Sequence, residues 1–282
     1  MHATIIAAQE LLGLLGKKDV AIIDCRFTLA DLNQGRKDYG VSHIPGAHYA
    51  HLDDDLSGEI IPGKTGRHPF PEINKFVKKC GAWGIDGNTQ VVVYDYGHGG
   101  IAARLWFLLK WLGHEKVAVL DGGWKNWLSQ NLPTSAILPI TSIKEFRPQV
   151  KNDKLVDVKA METISKDENF LIVDSRTAPR YRGEAEPIDP VAGHVPGAVS
   201  APFLENIGSN GLFKSQEELK ERFAEIMKKG TPEKTVFYCG SGVTACHNLL
   251  ALSHIGIDEA KLYPGSWSEW ITDPARPVET GD

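Results

Sequence analysis

Four cysteines are spread along the chain: Cys25, Cys80, Cys239 and Cys246. Cys239 has the neighbourhood best suited to chemistry. It ends the apolar run Thr235-Val236-Phe237-Tyr238 and opens the loop Cys239-Gly240-Ser241-Gly242-Val243-Thr244, after which a helical pattern runs to Leu252. At such a junction the backbone amides of Gly240 to Thr244 can curl around the sulfur, and the helix N-terminus adds partial positive charge. Both effects favour thiolate over thiol, so the group titrates below the free value of about 8.5. Gly240 and Gly242 supply the backbone freedom. The expectation is a nucleophilic sulfur at Cys239.

The other cysteines read as small buried hydrophobes. Cys25 lies at a strand end without a glycine loop, and Cys246 falls inside the helix that follows Thr244. No two cysteines have CxxC or zinc-type spacing, so no metal site is expected. His43, His48 and His51 with Asp53 form a cluster of possible ligands, but no regular spacing makes them a metal centre.

The elements that must position Cys239 occur twice. Ala21-Ile22-Ile23-Asp24-Cys25-Arg26 returns as Leu171-Ile172-Val173-Asp174-Ser175-Arg176, and Ser42-His43-Ile44-Pro45-Gly46-Ala47 returns as Gly193-His194-Val195-Pro196-Gly197-Ala198. Val91-Val92-Val93-Tyr94-Asp95 matches Thr235-Val236-Phe237-Tyr238-Cys239, and Asp121-Gly122-Gly123-Trp124 matches Pro264-Gly265-Ser266-Trp267. Four segments in the same order at a near-constant, domain-sized offset mean two copies of one domain, because solenoid repeats have periods of only ~20–50 residues. One copy carries the thiol, and the other has Asp95 in its place. Residues present in both copies (Asp24, Arg26, Asp174, Arg176, His43, His194 and the tryptophans) are expected to brace the fold.

Short β-rich runs at Val20–Asp24, Val91–Asp95, Val117–Leu120, Leu171–Asp174 and Val236–Cys239 alternate with helical patterns at Ala102–Leu112 and Val243–Leu252. Continuous apolar strands of this kind suit a parallel sheet covered on both faces. The expected class is therefore α/β: two tandem domains, each a mostly parallel sheet with helices on both faces. The boundaries read as a first domain at 1–135 lacking the reactive cysteine, a proline-bracketed extended linker at 136–152, and a catalytic domain at 153–282.

Composition narrows the function classes. The 282 residues carry a formal net charge of -5, with 42% hydrophobic and 24% charged residues, as in an ordinary globular enzyme. No nucleic acid or membrane partner is expected. The apolar stretch Ile5–Leu15 is interrupted by Gln9 and Glu10 and is too short to span a bilayer. It reads as a first amphipathic helix, and the location as cytoplasmic.

These ordered motifs resemble the tandem-domain rhodanese family, which includes thiosulfate sulfurtransferases and 3-mercaptopyruvate sulfurtransferases. The resemblance covers nearly the whole chain and is most specific in the Cys239-Gly240-Ser241-Gly242-Val243-Thr244-Ala245 loop. It implies that Cys239 takes a sulfane sulfur from a small-molecule donor and becomes a persulfide. The sulfur then passes to cyanide, a small thiol or a thioredoxin-like protein thiol. No metal or organic cofactor is required, and Gly240, Gly242, Val243 and Thr244 line the substrate's approach.

The loop composition implies a donor. Thiosulfate-using relatives carry basic residues after the cysteine, whereas Gly240 and Ser241 match the mercaptopyruvate branch. That branch implies a relay of Ser241, His68 and Asp53. Between the repeated turn and the repeated strand the first half is longer than the second, and the extra sequence holds Asp53 and Gly66-Arg67-His68-Pro69. The same branch implies two arginines for the donor carboxylate. Arg180 matches the first, but Ile188 stands where the second is expected, so thiosulfate remains the alternative donor. A cysteine phosphatase would need an arginine six positions after the cysteine, where this chain has Ala245. A binding module without activity would have no use for the thiol.

Overall fold

The computed structural model describes residues 1–282. The chain folds into two compact units. Unit 1 comprises Met1–Gly58, Phe70–Lys151 and Ser209–Phe213; unit 2 comprises Glu59–Pro69, Asn152–Gly208 and Lys214–Asp282. The short segment Glu59–Pro69, drawn from the first half of the sequence, is thus part of unit 2.

Unit 1 holds β1 (Ile5–Ile6), α1 (Ala8–Leu12), β2 (Val20–Asp24), α2 (Gln34–Val41), β3 (Ala47–Tyr49), α3 (Ile73–Ala82), β4 (Gln90–Tyr94), α4 (Ala102–Trp111), β5 (Val117–Leu120) and α5 (Gly123–Ser129). Its five strands pair in parallel in the order β1-β5-β4-β2-β3. The sheet core is built from Ile6, Leu11, Ile22, Val92, Leu120 and Trp127, among others. Helix α4 is buried on nearly every side, which its sequence Ala-Ala-Arg-Leu-Trp-Phe-Leu-Leu-Lys-Trp allows.

The N-terminal stretch departs from the expected single helix. Ile5 and Ile6 pair with Val119 and Leu120 as an edge strand, and only Ala8–Leu12 is helical. Two adjacent β-branched residues beside an open sheet edge gain more from the ladder than from helix propagation. Residues 136–151 form neither helix nor strand, and they are tied into unit 1 by backbone bonds from Lys144 to Gly81, Gln149 to Leu112 and Lys151 to Trp111.

Unit 2 holds α6 (Val158–Ile164), β6 (Leu171–Asp174), α7 (Ala178–Tyr181), β7 (Ala198–Ser200), α8 (Gln216–Ile226), β8 (Thr235–Tyr238), α9 (Ala245–His254), β9 (Lys261–Leu262) and α10 (Ser266–Trp270). Four parallel strands run in the order β7-β6-β8-β9 over a core that includes Met161, Ile172, Val236, Tyr263 and Trp267. Local signals fix the helix starts. Asp157 caps α6 by accepting from Ala160 N at 2.8 Å, and Ser215 with Glu218 forms a reciprocal capping box on α8. The α/β class and the two tandem parallel-sheet units are as the sequence implies.

The duplicated residues brace each unit in the same way. Arg26 grips Asp24 with Nη2 at 2.6 Å and donates to Ser42 O, while its guanidinium lies 4.6 Å from the Trp124 ring centroid. Arg176 grips Asp174 at 2.6 Å, donates to Gly193 O, and lies 4.8 Å from Trp267. His43 and His194 bond Tyr39 O and Tyr181 O through Nδ1 and stack on those tyrosine rings. His51 is bonded to Leu32 O and His48 to Thr141, so each histidine of the cluster near Asp53 has a protein partner. No helix is long and apolar enough to cross a membrane.

Candidate active site

Strands β6 and β8 lie side by side, with Asp174 in register with Tyr238. Cys239 therefore leaves the carboxyl edge of the sheet at its centre, where parallel α/β sheets place ligands. The backbone there is held from several directions. Cys239 N donates to Ser266 Oγ at 3.1 Å, Trp267 N to Cys239 O at 3.0 Å, and Ser268 N to Gly240 O at 2.9 Å. Gly242 has φ +72°, and a Cβ there would meet Pro264 O at 2.2 Å, so only glycine fits.

Helix α9 starts at Ala245, later than the apolar periodicity suggests, because Val243 and Thr244 belong to the turn around the sulfur. Cys239 is only 2% exposed. Burial alone would push its thiol up. The Thr244 hydroxyl and the amides of Ser241, Ala245 and Val243 outweigh that effect and hold its pKa below the ordinary thiol value. Cys25 and Cys80 show the opposite balance: burial pushes both thiols well up, with no comparable cradle. Cys246 is fully buried and contacts Gly242 O through its sulfur.

Ser241 and His68 are both buried, and Ser241 Oγ lies 2.7 Å from His68 Nδ1. The bond is internal to unit 2, because His68 arrives on the segment Glu59–Pro69. Asp53 belongs to unit 1, where its backbone N–H donates to His51 Nδ1 at 3.2 Å.

Arg180, at the end of α7, donates through Nε and Nη2 to Glu186 and through Nη2 to Asp189 at 3.0 Å. Glu186 also accepts from Arg176 Nη1 at 3.2 Å. A second guanidinium joins this network from a residue whose sequence context gives it no role. Arg67 pairs through Nη1 with the other Asp189 oxygen, and its backbone N–H donates to Ser268 Oγ at 3.0 Å. Burial lowers the Arg67 pKa, and the nearby Cys239 charge opposes that shift. Glu186 and Asp189 likewise escape a reading of the sequence. The available signal is the acidic pair flanking Ile188, which itself is 42% exposed.

The corresponding loop of unit 1 fills its own cradle. Asp95 accepts from Gly97 and Gly99 through Oδ1, both at 2.9 Å, and from Ile101 at 2.9 Å and Ala102 at 3.3 Å through Oδ2. A fixed carboxylate thus occupies the place that the sulfur takes in unit 2. The rhodanese-like domain matches residues 7–130 and again 157–273.

The chain belongs to the rhodanese family. A Pseudomonas aeruginosa relative named "Probable 3-mercaptopyruvate sulfurtransferase" is 46% identical to this rhodanese over 281 residues, covering 99% of each chain. An Arabidopsis thaliana relative, "Thiosulfate/3-mercaptopyruvate sulfurtransferase 2", is 33% identical over 307 positions, covering 97% of this chain and 86% of its own. Among solved structures, Escherichia coli SseA, described as a 3-mercaptopyruvate sulfotransferase, superposes on this rhodanese with a TM-score of 0.81. It is 28% identical, and the match covers 95% of this chain and 100% of that one.

Proposed function

We propose that this rhodanese moves a sulfane sulfur from 3-mercaptopyruvate to a thiophilic acceptor through a persulfide on Cys239. The enzyme is a sulfurtransferase, as its relatives are. The observation that carries the site reading is the lowered Cys239 thiol inside a ring of amides, with Ser241 and His68 hydrogen-bonded beside it.

The chemistry balances without a cofactor. The Cys239 thiolate attacks the donor sulfur, an S–S bond forms and the donor C–S bond breaks. The electron pair leaves on the donor carbon as the enolate of pyruvate. The proton from the donor's thiol ends on that carbon, giving pyruvate and the persulfide anion. The amides that favour thiolate also stabilise this anion. Ser241 and His68 form the proton path, and Arg180 binds the donor carboxylate. Asp53 enters this reading from the family resemblance alone, as the carboxylate that orients His68. In the second half-reaction cyanide or a thiolate attacks the outer sulfur and returns Cys239 as thiolate. A thioredoxin-like protein thiol fits this step. A reducing, cytoplasmic setting suits four cysteines that are all free. The domains are assigned as 1–135 without the nucleophile, linker 136–152, and catalytic 153–282.

The test is intact-mass measurement after incubation with 3-mercaptopyruvate or thiosulfate, followed by thiocyanate assay with cyanide. A mass gain of one sulfur, absent in Cys239→Ser and faster with mercaptopyruvate, is expected. No gain with either donor would overturn the activity, and a faster reaction with thiosulfate would overturn the donor.

A further inference from the structure

The two copies of the domain have diverged most in charge at one helix. Helix α3 follows the third strand of unit 1 and α8 follows the third strand of unit 2, each ahead of the strand that leads to Asp95 or Cys239. Helix α8 carries Glu217, Glu218, Glu221 and Glu225 against Lys220 and Arg222. Helix α3 carries Lys75, Lys78 and Lys79 and no carboxylate. The positions 75, 78, 79 and 82 fall at helical spacing on one face. That basic face is a property of unit 1 and not of the shared scaffold.

The face borders a recess of about 360 Å³ that lies wholly within unit 1. Opposite the lysines it is lined by Asp54, Asp55 and Ser57 of the turn before Gly58, with apolar walls from Pro71 and Phe76. Every carboxylate around the recess is already committed. Asp54 pairs with Arg36 at 2.7 Å, and Asp55 pairs with Lys79 at 2.7 Å and accepts from His51 N at 2.8 Å. Glu72 caps α3 by accepting from Asn74 N at 2.9 Å and Lys75 N at 2.8 Å. Lys75 and Lys78 hold no salt bridge, so two ammonium groups on this wall keep their charge uncompensated.

Ser57 supplies a second, independent sign. It is 7% exposed, and its Oγ is buried without a hydrogen-bond partner. Buried hydroxyls are nearly always paired, so an orphan in the wall of a recess marks a place for an acceptor that arrives with a ligand. A hydroxyl donor, two free ammonium groups and an apolar wall together suit one chemistry. The ammonium groups act as point charges for a doubly charged oxyanion, and Phe76 and Pro71 take an apolar body.

We infer that this recess of unit 1 binds a phosphate monoester with an apolar body, held by Lys75, Lys78 and Ser57. The site shares no residue with the sulfur-transfer site, and the inference does not rest on that reading.

The experiment is calorimetry on the full-length protein at low salt, with phenyl phosphate as the probe and inorganic phosphate, phenol and benzoate as comparisons. Phenyl phosphate should bind at one saturable site, and each comparison compound at least several-fold more weakly. The double variant Lys75→Gln with Lys78→Gln should weaken phenyl phosphate by about three- to tenfold, the worth of two exposed charge contacts. Added salt should weaken wild-type binding in the same direction. Ser57→Ala should cost a similar about three- to tenfold, the net value of one hydrogen bond. Without ligand, Ser57→Ala should not lower the melting temperature, because an unpaired buried hydroxyl contributes nothing to the fold. With phenyl phosphate present, its melting temperature should rise less than that of wild type. Absence of saturable binding, or equal affinity for benzoate, phenol or inorganic phosphate, would overturn the inference. Binding that persists unchanged in the double lysine variant but disappears in Arg180→Met would also overturn it, by placing the probe beside Cys239. Should Ser57→Ala fail to fold, the double lysine variant decides alone. Sulfur transfer by both variants should match wild type, and a wild type without sulfur transfer leaves the phosphate titration fully readable.

Discussion

His68 Nδ1 lies 2.7 Å from Ser241 Oγ although 173 positions separate them in the chain. Two buried side chains held this closely next to a nucleophile can pass the proton that must reach the departing carbon of a mercaptopyruvate donor. Ser241→Ala and His68→Ala should each lower kcat with mercaptopyruvate by about 10²–10⁴, the usual worth of positioned proton transfer. Thiosulfate leaves as sulfite and needs no proton on carbon, so its turnover should fall much less. Parallel steady-state assays decide this, and equal losses would remove the relay.

Cys239 should be the cysteine that reacts fastest in the native protein. Its pKa lies below the ordinary thiol value, so thiolate accumulates as pH rises through that lowered pKa and persulfide formation rises with it. Thr244→Val removes a hydroxyl that stabilises the thiolate. The alkylation and persulfidation profiles of that variant should shift toward higher pH, while Cys25 and Cys80 stay unlabelled. Rates of iodoacetamide labelling against pH, read by peptide mass, test both statements.

Gly242→Ala should damage the loop and not merely slow it. The substitution places a Cβ at φ +72° and 2.2 Å from Pro264 O. A left-handed non-glycine residue costs about 1–3 kcal/mol before any clash is counted. A loss of about 3 kcal/mol in urea unfolding is expected, with persulfide formation lost under folding conditions. A variant with wild-type stability would contradict the tight packing.

Asp95 makes the opposite prediction. Its carboxylate satisfies four backbone amides, and Asp95→Ala strands them in a buried loop. Denaturant melts should show a loss of about 3 kcal/mol, from a desolvation cost of about 1–3 kcal/mol for each unsatisfied group with partial relaxation. Sulfur transfer by the folded fraction should be unchanged, because the residue plays no part in it. A selective loss of kcat in fully folded protein would give the unit 1 loop a role it lacks here.

Much of this protein is legible in its sequence because the signals are local. Strand, glycine loop and helix follow one another around Cys239, so a reactive thiol can be read from one short segment. The same applies to the duplicated Asp-x-Arg motifs, whose ion pairs close over two residues, and to the alternation that implies two parallel sheets. Reading Ile5–Leu15 as one helix fails because a sheet edge, absent from any local window, recruits Ile5 and Ile6. Sequence also locates Asp95 as the counterpart of Cys239, but it cannot show the carboxylate filling its own ring of amides. The cationic side of the site lies furthest out of reach. Arg67 and Asp189 are 122 positions apart, and nothing near either one announces the other. The reactive sulfur of Cys239 follows from chain order alone; the pairing of Arg67 with Arg180 over Gly240 exists because folding brings Glu59–Pro69 onto unit 2, and proximity in space has no local signature.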